Sequence, residues 1–213
     1  MIIKVCGMRD AENIRAVEQT GADWMGFIFY KKSPRYVSQV PDYLPQQMKR
    51  VGVFVNPTFR EVMDHVNNFG LHAVQFHGNT LPDMCQAFRE RGLIVIRALP
   101  VVSTFVADTA EYMDKVDYFL FDTPTLKFGG SGRTYDWQLL QRYNGPTPFL
   151  LSGGLSPHSV ASLQTFSHPY LAGYDLNSGF ETAPALKDAT VLQSFIKQIK
   201  WPFDYEPHST TFQ

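Results

Sequence analysis

Cysteine is scarce in this chain: of 213 residues only Cys6 and Cys85 carry a thiol. Two cysteines supply neither a disulfide framework nor a thiolate metal cluster, and no pair of histidines or cysteines has metal-ligand spacing, so no metal is expected. The chain opens on the strand-like run Ile2-Ile3-Lys4-Val5 instead of a basic segment, an apolar stretch and a cleavage site, which points to the reducing cytoplasm. No apolar run approaches the roughly 18 residues that a membrane-spanning helix needs. Excess charge is missing as well. With 19 basic and 20 acidic residues and a formal net charge of -1, there is no electrostatic reason to expect nucleic acid or an anionic membrane as partner. A small molecule is the expected partner.

What the chain does have is a repeat of short β-branched and aromatic runs: Ile2 to Val5, Trp24 to Phe29, Val51 to Val55, Ala73 to Phe76, Ile94 to Ala98, Tyr118 to Phe121, Pro148 to Leu151 and Leu171 to Tyr174. Nearly continuous hydrophobicity is the signature of strands buried on both faces. Between them lie stretches of helical spacing, such as Ile14, Val17 and Glu18 before Gly21. Asp10, Asp136 and Ser156 with Pro157 are placed as helix caps, and Gly21, Gly70 and Gly92 as stops. Eight strand–helix units predict a single-domain α/β fold, the (β/α)8 TIM barrel, over residues 1–200. The rival, an open doubly wound sheet, often carries a G-x-G-x-x-G turn after its first strand; here that turn reads Cys6-Gly7-Met8-Arg9. Residues 201–213 hold Pro202 and Pro207 without any period and are expected to form a poorly ordered tail.

Active sites of such barrels lie at the carboxyl ends of the strands. The residues there are Cys6, Lys31 to Arg35, Asn56, His77, Arg97, Asp122, Ser152 and Asp175. A thiol and a carboxyl above one cavity, Cys6 and Asp122, make a candidate acid/base pair. Glycine-rich loops follow the last three strands: Gly129-Gly130-Ser131-Gly132, Ser152-Gly153-Gly154 and Asn177-Ser178-Gly179. Their backbone N–H groups suit a phosphate, although tight strand–helix turns leave the same signature. Cys85 sits in a helical context and reads as a small buried hydrophobe.

These motifs together resemble the phosphoribosylanthranilate isomerase family. The resemblance is carried by Lys4-Val5-Cys6-Gly7-Met8, Ser33-Pro34-Arg35-Tyr36-Val37, Val51-Gly52-Val53-Phe54-Val55-Asn56, Gln75-Phe76-His77-Gly78, Phe121-Asp122-Thr123, Leu151-Ser152-Gly153-Gly154-Leu155 and Asp175 through Glu181, and it runs from Ile3 to about Ile199. It implies a cofactor-independent Amadori rearrangement of a phosphosugar in tryptophan biosynthesis, by a monomer or homodimer. It further implies Asp122 as general acid, Cys6 as general base, Arg35 as a grip on the anthranilate carboxylate, and a phosphate site that includes Gly130, Gly153, Gly154, Asn177, Ser178 and Gly179. His77 is expected to line the pocket without being essential. Asp175 is expected to contact sugar hydroxyls or to hold the neighbouring loops.

The assignment poses a physical problem, because a thiol with a reference pKa of about 8.5 must lose its proton while a carboxyl of about 3.9 keeps one, a gap of about 6 kcal/mol. Desolvation is expected to raise Asp122, and Arg35 or a cationic intermediate to favour the Cys6 thiolate. Two departures from the family pattern stand out: Asn177 replaces a serine, and the later Pro-Gly has become Pro184-Ala185. Two rival functions are a metal-dependent sugar-phosphate epimerase, which needs more histidines and aspartates at strand ends, and a catalytically silent phosphosugar-binding barrel, which needs neither Cys6 nor Asp122.

Overall fold

The structure, a computed structural model, describes residues 1–102, 104–123 and 136–201. Gly130 with its loop, and the segment after Trp201, lie outside the described residues. Eight parallel strands close into a barrel in sequence order: β1 (Ile2–Cys6), β2 (Trp24–Ile28), β3 (Lys49–Val55), β4 (Ala73–His77), β5 (Ile94–Pro100), β6 (Tyr118–Asp122), β7 (Phe149–Leu151) and β8 (Leu171–Leu176). The seam is the pairing of β1 with β8, in which Ile2 faces Gly173 and Lys4 faces Asp175. Outside the barrel pack α1 (Ala11–Glu18), α2 (Phe59–Phe69), α3 (Pro82–Arg89), α4 (Phe105–Thr109), α5 (Val160–Thr165) and α6 (Ala189–Lys200). A small hairpin of β9 (Glu181–Ala183) and β10 (Leu186–Lys187) precedes α6.

Local chemistry accounts for the boundaries. Asp10, Thr58 and Asp188 each accept a hydrogen bond from a first-turn N–H of α1, α2 and α6. Gly70 ends α2 in the left-handed conformation at φ 55°. Ser156 and Ser159 close a reciprocal capping box ahead of α5.

The repeat is broken in two places. Between β2 and β3 there is no α-helix, because Pro34, Pro41 and Pro45 interrupt any helical run there. That segment is stitched to the barrel instead. Val37 N donates to Ile28 O, and the buried carboxylate of Glu18 accepts from Tyr43 Oη, Gln46 N and Gln47 N. Between β6 and β7, Trp137–Arg142 forms a 3-10 helix, capped by Asp136 as expected.

Alternation along the strands sorts the core into an outer shell and an interior. On β1, Ile3 and Val5 join the large cluster under the helices. The interior begins at the amino-terminal end with Ile2, Trp24, Ile94 and Tyr118, Trp24 meeting Tyr118 edge to face at 5.4 Å between ring centroids. It continues through Val51, Ala73, Ile96, Leu120 and Leu150. This apolar plug fills the lower barrel and leaves the polar cavity at its upper end.

The seam leaves no room for a side chain at Gly173, where a Cβ would lie 2.0 Å from the Ile2 carbonyl oxygen. Gly173→Ala is expected to destabilise the fold by about 3 kcal/mol, as overpacking does. Urea unfolding followed by circular dichroism checks this; an unchanged midpoint contradicts the closure described.

Candidate active site

At the carboxyl ends of the strands lies a cavity lined by Cys6, His77, Asp122, Asp175, Gly153, Gly154, Asn177 and Ser178, with Ile28, Val53 and Leu120 as its apolar wall. Cys6 and Asp122, chosen from sequence as a pair, therefore face one space. Each occupies the final position of its strand, where the backbone is still held by the sheet and the side chain turns inward. Gly26 on β2 makes room for the thiol, since a Cβ there would lie 2.8 Å from Cys6 Sγ.

Beneath Cys6, two residues earlier on the same inner face, is Lys4, with no exposed surface. Its Nζ donates to Asp175 Oδ1 at 2.8 Å across the β1–β8 seam. Burial works against the ammonium charge, but Asp175 and Cys6 overcome it, and Lys4 stays protonated. For Cys6, burial is the strongest influence and pushes the thiol up; Lys4 and Lys187 pull it down, and Asp175 pushes it up again. Desolvation thus outweighs the fixed cations nearby, which leaves a cationic intermediate as the other source of charge expected to favour the thiolate.

Asp122 behaves as expected from sequence. Burial raises it to about 6, and Asp175 adds to the rise, against the stabilising hydrogen bonds from Thr123 N and Ser152 Oγ. Both of those donors meet Oδ1, at 2.8 and 3.3 Å. His77 is driven down to about 3, by burial first and then by Lys4 and Arg97, so it is a neutral imidazole. Its Nε2 lies 2.8 Å from Gln75 Nε2, the side chain one pleat below.

Arg35 sits beside the cavity rather than in its wall. Its Nε donates to Glu181 Oε1 at 2.8 Å and its Nη2 to Oε2 at 2.6 Å, a bidentate pair buried on both sides. One edge of the guanidinium that was expected to face substrate is therefore committed to β9. Lys187 Nζ joins the same carboxylate and also donates to Asn177 Oδ1 at 2.9 Å. Although burial raises Glu181, Arg35 and Lys187 hold it below the usual carboxylate range. Gly7, at φ 83°, lets this cluster close, since a Cβ there would meet Arg35 Cδ at 2.7 Å and Asn177 Oδ1 at 3.0 Å.

The loops after β7 and β8 meet each other. Gly153 and Gly154 have φ of 93° and 69°, in the left-handed region. Gly179 lies outside the cavity wall and packs against the Leu155 carbonyl, 2.1 Å from where its Cβ would be. Ala185, where the family pattern has glycine, adopts φ 67°. A left-handed alanine costs about 1 to 2 kcal/mol. Its N–H donates to Glu181 Oε1.

Other rim residues serve the scaffold. Asn56 Oδ1 accepts from Asn79 N at 2.6 Å, and Arg97 donates to the carbonyls of Phe76 and Gly78 while stacking on Tyr112. Sequence reasoning missed Lys4, Gln75, Glu181 and Lys187. The signal was there for Lys4: a lysine inside a strand buried on both faces has to meet a carboxylate.

The chain is similar to known proteins over nearly its whole length. Residues 3–198 match the family model described as N-(5'phosphoribosyl)anthranilate (PRA) isomerase. An N-(5'-phosphoribosyl)anthranilate isomerase of Phocaeicola vulgatus is 53% identical over 201 residues, covering 94% of this chain and 98% of the relative. One of Parabacteroides distasonis is 46% identical over 209 residues, covering 95% of each. A crystal structure of the phosphoribosyl anthranilate isomerase of Thermotoga maritima superposes with a TM-score of 0.79 at 34% identity, covering 94% of this chain and 99% of that one. Another, of phosphoribosyl anthranilate isomerase in complex with reduced 1-(o-carboxyphenylamino)-1-deoxyribulose 5-phosphate, gives 0.76 at 32% identity, covering 92% and 97%. With a closed eight-stranded barrel, a thiol and a carboxyl over one cavity, and relatives matched along nearly their whole length, the chain belongs to the phosphoribosylanthranilate isomerase family.

Proposed function

We propose that the chain converts N-(5-phosphoribosyl)anthranilate to 1-(2-carboxyphenylamino)-1-deoxyribulose 5-phosphate, with Asp122 as general acid and Cys6 as general base. The observation that carries the roles is the shared cavity, in which the Asp122 carboxyl, raised to about 6, faces the Cys6 thiol. The Asp122 proton goes to the furanose ring oxygen, the C1–O bond breaks, and the nitrogen lone pair forms a cationic Schiff base. The Cys6 thiolate then takes the C2 proton, its electron pair closing the enolamine, and tautomerisation gives the ketone. The Schiff-base cation adds to the positive charge of Lys4 and Lys187, which alone does not outweigh desolvation of the sulfur, and so favours its anionic form.

The phosphate rests on backbone N–H groups of Gly153, Gly154, Ser178 and Gly179. Asn177 contributes main chain only, since its side chain already accepts from Lys187. The replacement of serine at this position is thereby accommodated. Arg35, aimed by Glu181, presents its remaining edge to the anthranilate carboxylate. Asp175 faces the sugar hydroxyls from above Lys4, and His77 shapes the wall as a neutral ring. The working state is a monomer or homodimer in the cytoplasm; one T. maritima structure is of monomers generated from a dimeric isomerase.

Loss of the anthranilate-ring fluorescence signal of the aminoaldose, followed with a metal chelator present, tests the reaction. Cys6→Ala and Asp122→Asn are each expected to lower kcat by about 10² to 10⁴-fold, the usual range for general acid–base groups. Near-normal turnover in either removes that residue from the mechanism. His77→Asn is expected to keep kcat within about tenfold of wild type, since a ring titrating near 3 exchanges no proton at neutral pH; a larger loss assigns it a direct part.

Asp122 also has a signature in stability. Its folded value of about 6 lies above the ordinary 3.8, so the unfolded chain releases this proton first and the wild type loses stability as pH rises from about 4 to 6. Asp122→Asn is expected to be more stable than wild type at pH 8 by up to about 3 kcal/mol, the advantage shrinking toward pH 4. Paired urea titrations at the two pH values decide it; an advantage that does not change with pH contradicts a raised Asp122.

A further inference from the structure

The lower barrel is apolar, yet a full ion pair, Lys4 with Asp175, stands just above it, with 0% and 7% of the side chains exposed. Replacing such a pair by packed apolar residues is often neutral or stabilising. Its presence at the floor of a reactive cavity therefore asks for a chemical reason.

An ammonium has three N–H donors and, where water is excluded, needs an acceptor for each. One is met by Asp175 Oδ1. Cys6, buried two residues further along the same inner face of β1, is the next polar group above Nζ, and the positive charge of Lys4 acts on its thiol as well as on Asp175. The other charges around Cys6 are already answered. Arg35, on the β2–β3 segment, and Lys187, on β10, both bind Glu181. Among the described residues, those that face Cys6 from across the cavity are the neutral ring of His77 on β4 and the carboxyl of Asp122 on β6.

We propose that Lys4 is the counter-ion of a Cys6 thiolate, and that Asp175 sets, through its own hold on Nζ, how much of that charge reaches the sulfur. Both are positioning residues in this respect, and the proposal gives the base reading of Cys6 its electrostatic partner while resting on that reading for its use in catalysis. The two residues act in opposite senses. Removing the ammonium leaves the sulfur with desolvation and a carboxylate; removing the carboxylate hands the whole ammonium to the sulfur.

The test is ultraviolet titration of the thiolate in the full-length protein without ligand, taken as the difference from the same protein carrying Cys6→Ala, which cancels Cys85 and the tyrosines. Lys4→Met is expected to move the Cys6 midpoint up by about one pH unit or more, a tenfold loss of thiolate at fixed pH, and Asp175→Asn to move it down. If Lys4→Met does not fold, the double variant Lys4→Met/Asp175→Asn, which leaves no orphaned charge, has its midpoint above that of Asp175→Asn alone. Midpoints that stay put, or that move in the same direction in both single variants, overturn the proposal. Its failure is distinguishable from failure of the base assignment: opposite shifts with full turnover in Cys6→Ala leave the counter-ion standing and remove the base, while absent shifts with no turnover in Cys6→Ala do the reverse.

Discussion

Closure of the barrel at the β1–β8 seam is the constraint on which the site depends. A ring of eight parallel strands has no free edge, and once the register between first and last strand is set, every inward side chain has its height in the barrel decided. Here that register brings Lys4 opposite Asp175 and lifts Cys6 one pleat higher, to the floor of the cavity. A slip of β1 by one residue would turn Lys4 and Cys6 outward under the helices and leave Asp175 facing inward without its partner. Gly173, which tolerates the Ile2 carbonyl at a distance no side chain permits, is where that register is enforced.

The electrostatics of the cavity are lopsided. Dry surroundings raise both Asp122 and Cys6, which suits the proposed acid and opposes the proposed base. The thiol is thereby held above its ordinary value, and positive charge beside the sulfur works in the opposite direction. The surrounding charges are arranged in two closed sets, Lys4 with Asp175 and Arg35 with Glu181 and Lys187, each fixed by short hydrogen bonds.

Much of the architecture was legible in the sequence because parallel strands buried on both faces announce themselves as apolar runs, and all eight runs named from sequence overlap the eight barrel strands within one or two residues. Helix caps at Asp10, Asp136 and Ser156 were legible for the same local reason. The missing helix between β2 and β3 was announced by its prolines, yet the periodic expectation passed over them. Cys6 and Asp122 could be paired because both end strands. Partners drawn from distant segments could not be read: Glu181 comes to Arg35, and Lys187 to Asn177, only after the hairpin of β9 and β10 folds back over the barrel mouth. Asn56 and Arg97 show the converse, polar residues at strand ends that latch neighbouring loops.

The segment between β2 and β3, which bears Arg35, lacks a helix of its own and is moored through the buried carboxylate of Glu18, with the Tyr43 hydroxyl and two backbone amides as its ropes. Although burial pushes Glu18 up, those three donors hold it below the ordinary carboxylate range. Such an anchorage is intact above the ordinary glutamate range and slackens as acid protonates the carboxyl. The arm that carries the guanidinium is thus moored by an anion, and acid that neutralises this anion loosens the arm while leaving the packed apolar shell around it untouched.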